Sequence, residues 1–442
     1  RGFEPPSLDA GFRYCELGCG NGSTTNILAA SHPNAEFVGI DFMPVHIANS
    51  RKVAKKAGLK NIKFYELSFA EACNEDFGQF DYIVAHGVYS WVSPENRREM
   101  VEFFRRFLAP GGLVYLSYNT YPGWSAIAPV QKVVSEYAKT LQGPSPQRVR
   151  GGFDFAAQLL SKGSQAFDSQ PAARKQIESA PTQAPNYLAQ EYLNEAWYPL
   201  YVTDVMRELA PAKLEYVASA TLGDNDLRFL VSDDLAALIR AQPTESLRQL
   251  VKDVSINARF RRDIYTRGGR RLSGLDQRQA IAERRVALTR TPDALTFTTT
   301  YGTRSLNFDT PAARTVVSAL ATGPKSLREL AAVSNGAADP MRVALETATI
   351  LCVGSQAQWV DAKQSVGQEM NRVLTSAALE DTSCNALATT LGTGLPVSIM
   401  ELALLANPAN FESIDAGAAF LAALAARKGR IFNKHGQRIE GD

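Results

Sequence analysis

The sequence predicts an α/β chain built on a doubly wound, mostly parallel sheet, and three observations predict it. Short apolar runs alternate with amphipathic stretches through the first 120 residues. A glycine-rich turn, Glu16-Leu17-Gly18-Cys19-Gly20-Asn21-Gly22, follows the first run and opens a helix. An acid, Asp41, closes the second run.

The elements follow in order. Residues 12–18 read as a strand ended by a glycine turn, 23–31 as a short helix and 36–41 as a buried strand. Pro44 suits a first helical position, and 45–57 form an amphipathic helix closed by Gly58. Strands are expected at 62–68 and 80–86. Residues 94–108 form a helix that Pro110-Gly111-Gly112 ends, and 113–118 are the fifth strand. After Trp124 the pattern turns helical, with polar breaks at 142–152 and 161–186. Residues 213–222 and 227–232 read as strands joined by Gly223-Asp224-Asn225-Asp226, an antiparallel hairpin that rejoins the sheet. Residues 234–290 read as helical, including a basic run from Arg259-Phe260-Arg261-Arg262 to Arg270-Arg271. Residues 295–360 show short helices, one capped by Ser326, before a strand-like 351–360, a winged-helix-like pattern. The remainder is Ala-rich and helical.

The expected domains are a catalytic unit of 1–124 and 211–233, and a helical insertion of 125–210 acting as a substrate lid. A helical segment of 234–294 and a C-terminal winged-helix-like and helical domain of 295–442 follow. The first residue is Arg1, so the opening reads as a chain entering a domain already under way.

Composition excludes several classes. The 442 residues carry 47 basic and 45 acidic side chains, too balanced for binding driven by nucleic-acid phosphates. Five cysteines form no CxxC pair, and four histidines form no HExxH. A disulfide framework and a zinc site are therefore not expected, no metal is expected, and a reducing, cytoplasmic compartment is. No apolar run is long enough to span a bilayer.

The glycine turn carries the chemistry. A dinucleotide fingerprint would need glycine at 23, where Ser23 stands. A tight loop lets a ligand lie along the backbone, and Glu16 beside it favours a cationic ligand over a pyrophosphate. Asp41, 21 residues after Gly20, suits the two hydroxyls of an adenosine ribose.

Strand, E-x-G-x-G-x-G, helix, strand and acid together resemble the class I S-adenosylmethionine-dependent methyltransferases, with their Rossmann-like sheet. The resemblance implies that Gly18, Gly20 and Gly22, with Cys19 and Asn21 between them, cradle the cofactor. It implies Glu16 near the methionine amino group, Asp41 on the ribose, and Phe42 and Met43 flanking the adenine. Ser68 or a backbone amide near Phe69 would contact the adenine amine, and His86 would border the site. A narrower resemblance rests on His86–Val92 (HGVYSWV) and Tyr118–Trp124 (YNTYPGW), with 189–195, 212–216 and 258–263 agreeing. They resemble bacterial methyltransferases with an appended methyltransferase regulatory domain. The best-understood of these are the rickettsial lysine methyltransferases of outer-membrane proteins. This implies a regulatory role for 234–294 and a protein lysine as acceptor.

The fourth strand lacks an Asp/Asn-Pro-Pro-Tyr/Phe element, which disfavours adenine N6 and glutamine methylation. No Pro-Cys nucleophile pair or clustered acids favour cytosine C5 or catechol-type chemistry. A lysine acceptor must be neutral, which costs about 4.6 kcal/mol at pH 7 from a pKa near 10.4. A desolvating aromatic pocket beside a sulfonium supplies such a shift. Tyr89, Trp91, Tyr118, Tyr121 and Trp124 are the candidates to line it. His86 would relay a proton or hydrogen-bond a strand end, and Asn119 would orient the amine or a turn. Glu191 and Glu195, four apart on a predicted helix, would draw in a cationic side chain or form a solvated face. The basic run alternates with Asp253 and Asp263, which favours a salt-bridged helix face over a nucleic-acid surface. The expected partner is a protein substrate, with no nucleic acid, no membrane span, and a docking or homodimerising role open to the C-terminal module. A small-molecule, lipid or glycan methyltransferase and a non-catalytic cofactor sensor remain the alternatives.

Overall fold

The computed structural model describes residues 2–8, 11–334, 336–360, 367–380, 386–389, 394–406, 431–432 and 438–439. Most of the expected helical tail beyond 406 lies outside the described residues.

The first half alternates strands and helices as its pattern demands. β1 (Arg13–Leu17), α1 (Ser23–Ser31), β2 (Glu36–Asp41), α2 (Pro44–Lys56), β3 (Ile62–Glu66), α3 (Phe69–Ala72), β4 (Phe80–Ala85), α4 (Pro94–Phe107) and β5 (Leu108–Asn119) follow one another. Pro44 and Pro94 take early helical positions, and the Ser93 hydroxyl accepts from the Asn96 amide, an N-cap. β5 begins at Leu108, so Pro110-Gly111-Gly112 lies inside the strand instead of separating it from α4. α4 buries Met100, Phe103, Phe104 and Phe107 against Phe77 and Phe80 of the main core. Each such side chain contributes roughly 1.5–3 kcal/mol relative to exposure.

The helical insertion comprises α5 (Ala128–Lys139), α6 (Ser145–Ser161), α7 (Gln165–Asp168), α8 (Pro171–Ser179) and α9 (Pro185–Leu193). Its own core gathers Trp124, Val130, Val134, Phe153, Leu188 and Tyr192. α10 (Val202–Leu209) leads back to the sheet at β6 (Glu215–Ser219).

The expected hairpin is corrected here. Residues 227–232 form no strand; Leu222–Asn225 and Leu227–Phe229 are 3-10 turns. After α11 (Asp233–Arg240) and α12 (Glu245–Ile256), the basic run supplies the partner, β7 (Phe260–Thr266). It enters between β5 and β6, antiparallel to both, giving the order β3-β2-β1-β4-β5-β7-β6. The basic run is therefore a strand, not a helix face. Its buried polar side chains hid the period-two pattern. Arg261 is buried with Nε 2.8 Å from Asp263, Nη1 2.5 Å from Asp253 and Nη2 3.0 Å from Gln249 Oε1. Pairing on several sides makes a buried guanidinium tolerable.

The C-terminal module contains α13 (Gly274–Ala282), β8 (Arg285–Leu288), β9 (Thr298–Tyr301), β10 (Arg304–Asn307), α14 (Pro311–Leu320), β11 (Lys325–Ser326), α15 (Leu327–Val333), α16 (Pro340–Val353) and β12 (Ala357–Val360). Its three-stranded sheet has the order β11-β8-β12. Of the strand expected over 351–360, only the last part is extended, because α16 continues to Val353. Phe229 inserts into the module's core, Tyr301 donates to Asp224 at 2.6 Å, and Arg228 pairs with Glu346 of α16 at 3.2 Å. Further on, α17 (Gln368–Glu380) sets Met370 and Leu374 against Ile27 and Ala30 of α1. Among the described residues no helix is long and apolar enough to cross a membrane.

Candidate active site

The carboxyl edge of β1 and β2 forms a cradle. Gly18, Gly20 and Gly22 all have positive φ, at 69°, 54° and 66°. A Cβ at Gly18 would lie 2.5 Å from Val88 Cγ2, and one at Gly22 2.6 Å from Ser50 Oγ. A Cβ at Gly20 would meet nothing within 4 Å. Packing therefore demands glycine at the two ends, whereas the middle glycine opens onto free space that a ligand can fill. The Gly20 amide donates to Asp41 Oδ2 at 2.9 Å and the Met43 amide to Oδ1 at 2.9 Å, while His46 Nδ1 lies 3.2 Å from Oδ1. Asp41 thus ties the glycine loop to the start of α2. Phe42 is 69% exposed and Met43 lies on the same rim. Asn21 accepts from Asn49 Nδ2 at 3.2 Å.

Glu16 is buried at the end of β1, where the Thr25 hydroxyl donates to it. Burial pushes its carboxyl up to about 7. An acid held there finds its best partner in a cation. The open cradle, the buried acid and the ribose-competent Asp41 fit an adenosyl sulfonium.

Three expected cofactor contacts are engaged elsewhere. The Cys19 side chain packs with Ile47, Ala54 and Phe64, and burial pushes its thiol far up, so only its backbone faces the loop. Ser68 caps α3: its amide and hydroxyl both donate to Glu71 Oε2 at 2.8 Å, and its oxygen accepts from the Glu71 amide. Those donors are spent on the helix. Phe69, the first residue of α3, packs against the main core.

Beyond β4 the structure assembles a cluster that sequence reading missed. His86 is exposed, with Nδ1 2.9 Å from the Tyr115 hydroxyl and 3.1 Å from Ser117 Oγ. Ser117 Oγ also accepts from the Gly87 amide at 2.7 Å. Arg262 stands opposite Ser117 in the β5–β7 register. Desolvation, then the Arg262 charge, lowers the His86 pKa and favours a neutral ring. Alternation in β5 puts Tyr115, Ser117 and Asn119 on one face, the one signal that could have found them.

The five expected pocket aromatics do not line one pocket. Tyr89 is fully buried, and its hydroxyl donates to Glu208 at 2.7 Å beside the Arg97–Glu208 pair at 3.0 Å. Tyr118 is equally buried and donates to Asp263 at 2.7 Å. Trp124 is buried; Nε1 donates to the Arg259 carbonyl at 2.9 Å, and the Arg259 guanidinium lies 4.1 Å over its ring. These three hold elements together. Trp91 and Tyr121 are half-buried, and Tyr121 packs 5.2 Å from exposed Tyr201. Exposed Tyr198 donates its amide to the Ser90 carbonyl at 2.9 Å.

Asn119 is buried at the end of β5. Its amide donates to Ser90 Oγ at 2.7 Å and its carbonyl accepts from Leu200 at 3.0 Å. Its Nδ2 has no partner among the described residues. A buried donor left unmade costs about 1–3 kcal/mol, so this one is poised for something that arrives. Glu191 is partly buried facing Arg259, and burial raises its pKa. α9 ends at Leu193, so Glu195 lies beyond it and shares no helix face with Glu191.

Comparison with known proteins agrees with this geometry. Residues 15–114 match the family described as "Methyltransferase domain", and 184–267 the one described as "Predicted methyltransferase regulatory domain". An uncharacterized protein of Synechocystis sp. is 32% identical over 453 aligned positions, covering 100% of this chain and 88% of its own. An uncharacterized protein of Rickettsia prowazekii is 30% identical over 226, covering 50% of this chain and 40% of its own. The structure of PKMT2 from Rickettsia typhi in complex with AdoHcy superposes with a TM-score of 0.69 at 17% identity, covering 100% of this chain and 91% of that one. The chain belongs to the S-adenosylmethionine-dependent methyltransferases that carry a methyltransferase regulatory domain.

Proposed function

We propose that this methyltransferase N-methylates lysine side chains of a protein substrate. The observation that carries the reading is the open aromatic rim of Tyr121, Tyr198 and Tyr201 beside the Asn119 Nδ2, which has no partner among the described residues. Tyrosine faces accept the long methylene stem of a lysine and favour its charged end on arrival. Desolvation there then favours the neutral amine. Asn119 offers a buried hydrogen bond to an extended peptide or the amine. The likeness to PKMT2 of Rickettsia typhi supports the same reading.

S-Adenosylmethionine supplies an electrophilic methyl carbon on a sulfonium. This chain must hold that carbon in line with the nitrogen lone pair and exclude water. Glu16, Asp41 and the glycine loop fix the cofactor, with Phe42 and Met43 at its adenine. The rim and Asn119 fix the acceptor, and neutral His86 can take the proton the amine must lose. In this reading residues 125–210 form one wall of the acceptor cleft. The C-terminal module, winged-helix-like in its run of α14, β11, α15, α16 and β12, serves as a docking support. Its α16 faces Arg228 and residues 222–225, which leaves that helix poorly placed to enter a nucleic-acid groove.

Incubation with tritium-methyl cofactor tests the reading, using proteins from the parent cell, unfolded envelope proteins included, and soluble metabolites. Acid-insoluble label mapped by mass spectrometry to lysine is the expected result. Label confined to metabolites would refute the protein acceptor.

A further inference from the structure

One cationic side chain beside the cradle has no carboxylate of its own. Glu16, Val84, Tyr115 and Ile264 pair in register across β1, β4, β5 and β7, so their side chains share a face. One pleat nearer the carboxyl edge, the same face carries Gly18, His86, Ser117 and Arg262. Arg262 therefore stands in the row of the glycine loop, two strands from the tip of β4.

Its neighbour Arg261 is saturated by Asp253 and Asp263. Arg262 is exposed and makes no salt bridge among the described residues. It rests 4.9 Å over the Phe260 ring, lies 3.4 Å from Thr221 Oγ1 and stands opposite Ser117 of β5. The Ser117 Oγ stands 3.1 Å from His86 Nδ1. A path of polar side chains, Arg262, Ser117 and His86, thus runs across the strands to the tip where the cofactor's aminoacyl end must lie.

Charge decides what the path is for. Glu16 and Asp41 answer the cofactor's ammonium, sulfonium and ribose hydroxyls. The cofactor's single anion, its α-carboxylate, is answered by neither. A guanidinium matches a carboxylate with two parallel hydrogen bonds, which a lysine or a neutral donor cannot reproduce.

We propose that Arg262, in one row with Ser117 and His86, forms the binding subsite for the α-carboxylate of S-adenosylmethionine. The subsite rests on the cofactor assignment and adds to it a residue from the regulatory-domain match, 184–267. That segment then completes the cofactor site and is not merely appended to it.

The test is calorimetry of the full chain with two nucleosides, S-adenosylmethionine and its decarboxylated analogue. Wild-type protein should bind the first roughly 10- to 100-fold more tightly, the range of a hydrogen bond to a charged group. R262Q should lose that preference, weakening the first ligand by the same factor and the second by less than about twofold. R262K should fall between, because it keeps charge and loses the fork. A second readout is the His86 ring by NMR, which should protonate at higher pH in R262Q. Equal weakening of both nucleosides by R262Q would show a structural role and overturn the proposal. So would an unchanged preference. Failure of the wild type to bind either nucleoside would instead strike the cofactor assignment and take the subsite with it.

Discussion

Glu16 should make cofactor binding depend on pH, and the dependence can be worked out. Its buried carboxyl is pushed up to about 7 against an ordinary value of 4.5. An ammonium or sulfonium settling beside it restores the charged form, so binding expels a proton wherever free Glu16 is protonated. If the bound carboxyl returns to its ordinary value, about 0.9 proton leaves per cofactor near pH 6. Affinity then climbs about 25-fold between about pH 5.5 and about pH 8, and levels off above that. Calorimetry in buffers of different ionisation heat reads both quantities. The folding sign is opposite. A carboxyl raised in the folded protein supports stability below about pH 4.5, and this support is lost as pH rises through about 7. The loss amounts to about 3 kcal/mol at full ionisation. E16Q should therefore stabilise the cofactor-free protein above pH 7, leave it unchanged near pH 4.5, and flatten the pH profile of binding. An E16Q profile as steep as wild type would refute the reasoning, because another group would then own the proton.

Four further outcomes are expected. G22A places a methyl 2.6 Å from Ser50 and 2.8 Å from Phe64 at positive φ, and should cost roughly 2–4 kcal/mol in urea denaturation. G20A meets no neighbour, so it should cost only about 1 kcal/mol of stability while sharply weakening cofactor binding in calorimetry. Y89F removes one buried hydrogen bond to Glu208 and should destabilise by roughly 1–1.5 kcal/mol with cofactor affinity and turnover unchanged; lost turnover in a stable Y89F protein would place Tyr89 at the substrate instead. F229A empties the plug between the sheet's turn and the C-terminal module, should cost roughly 3–5 kcal/mol, and should expose the 267–285 connection to limited proteolysis.

The glycine loop and its acid were legible because they are local. Gly18, Gly20, Gly22 and Asp41 serve through backbone conformation and strand-end position, and both are written in short segments. The acceptor half was read less well. Tyr89, Tyr118 and Trp124 look like an aromatic pocket in a linear string, yet each is buried and hydrogen-bonded to a group 119, 145 or 135 residues away. Glu195 was misplaced because a helix end near Leu193 has no glycine or proline to announce it.

What the sequence determined alone is the alternation of β1 to β5 with their helices, the glycine cradle and its acid, and hence the cofactor. Periodicity and turn chemistry act within a few residues, so they survive without knowledge of the partner. What only the tertiary structure decided is which distant segment completes the sheet. β7 carries Arg261 and Asp263 where a buried strand should be apolar, and their burial is sensible only once Asp253, Gln249 and Tyr118 surround them. The same pairing brings Arg262 beside Ser117 and Tyr115, 145 and 147 positions away in the chain. No local pattern encodes that meeting, because its energy comes from contacts that exist only after the chain has folded back on itself.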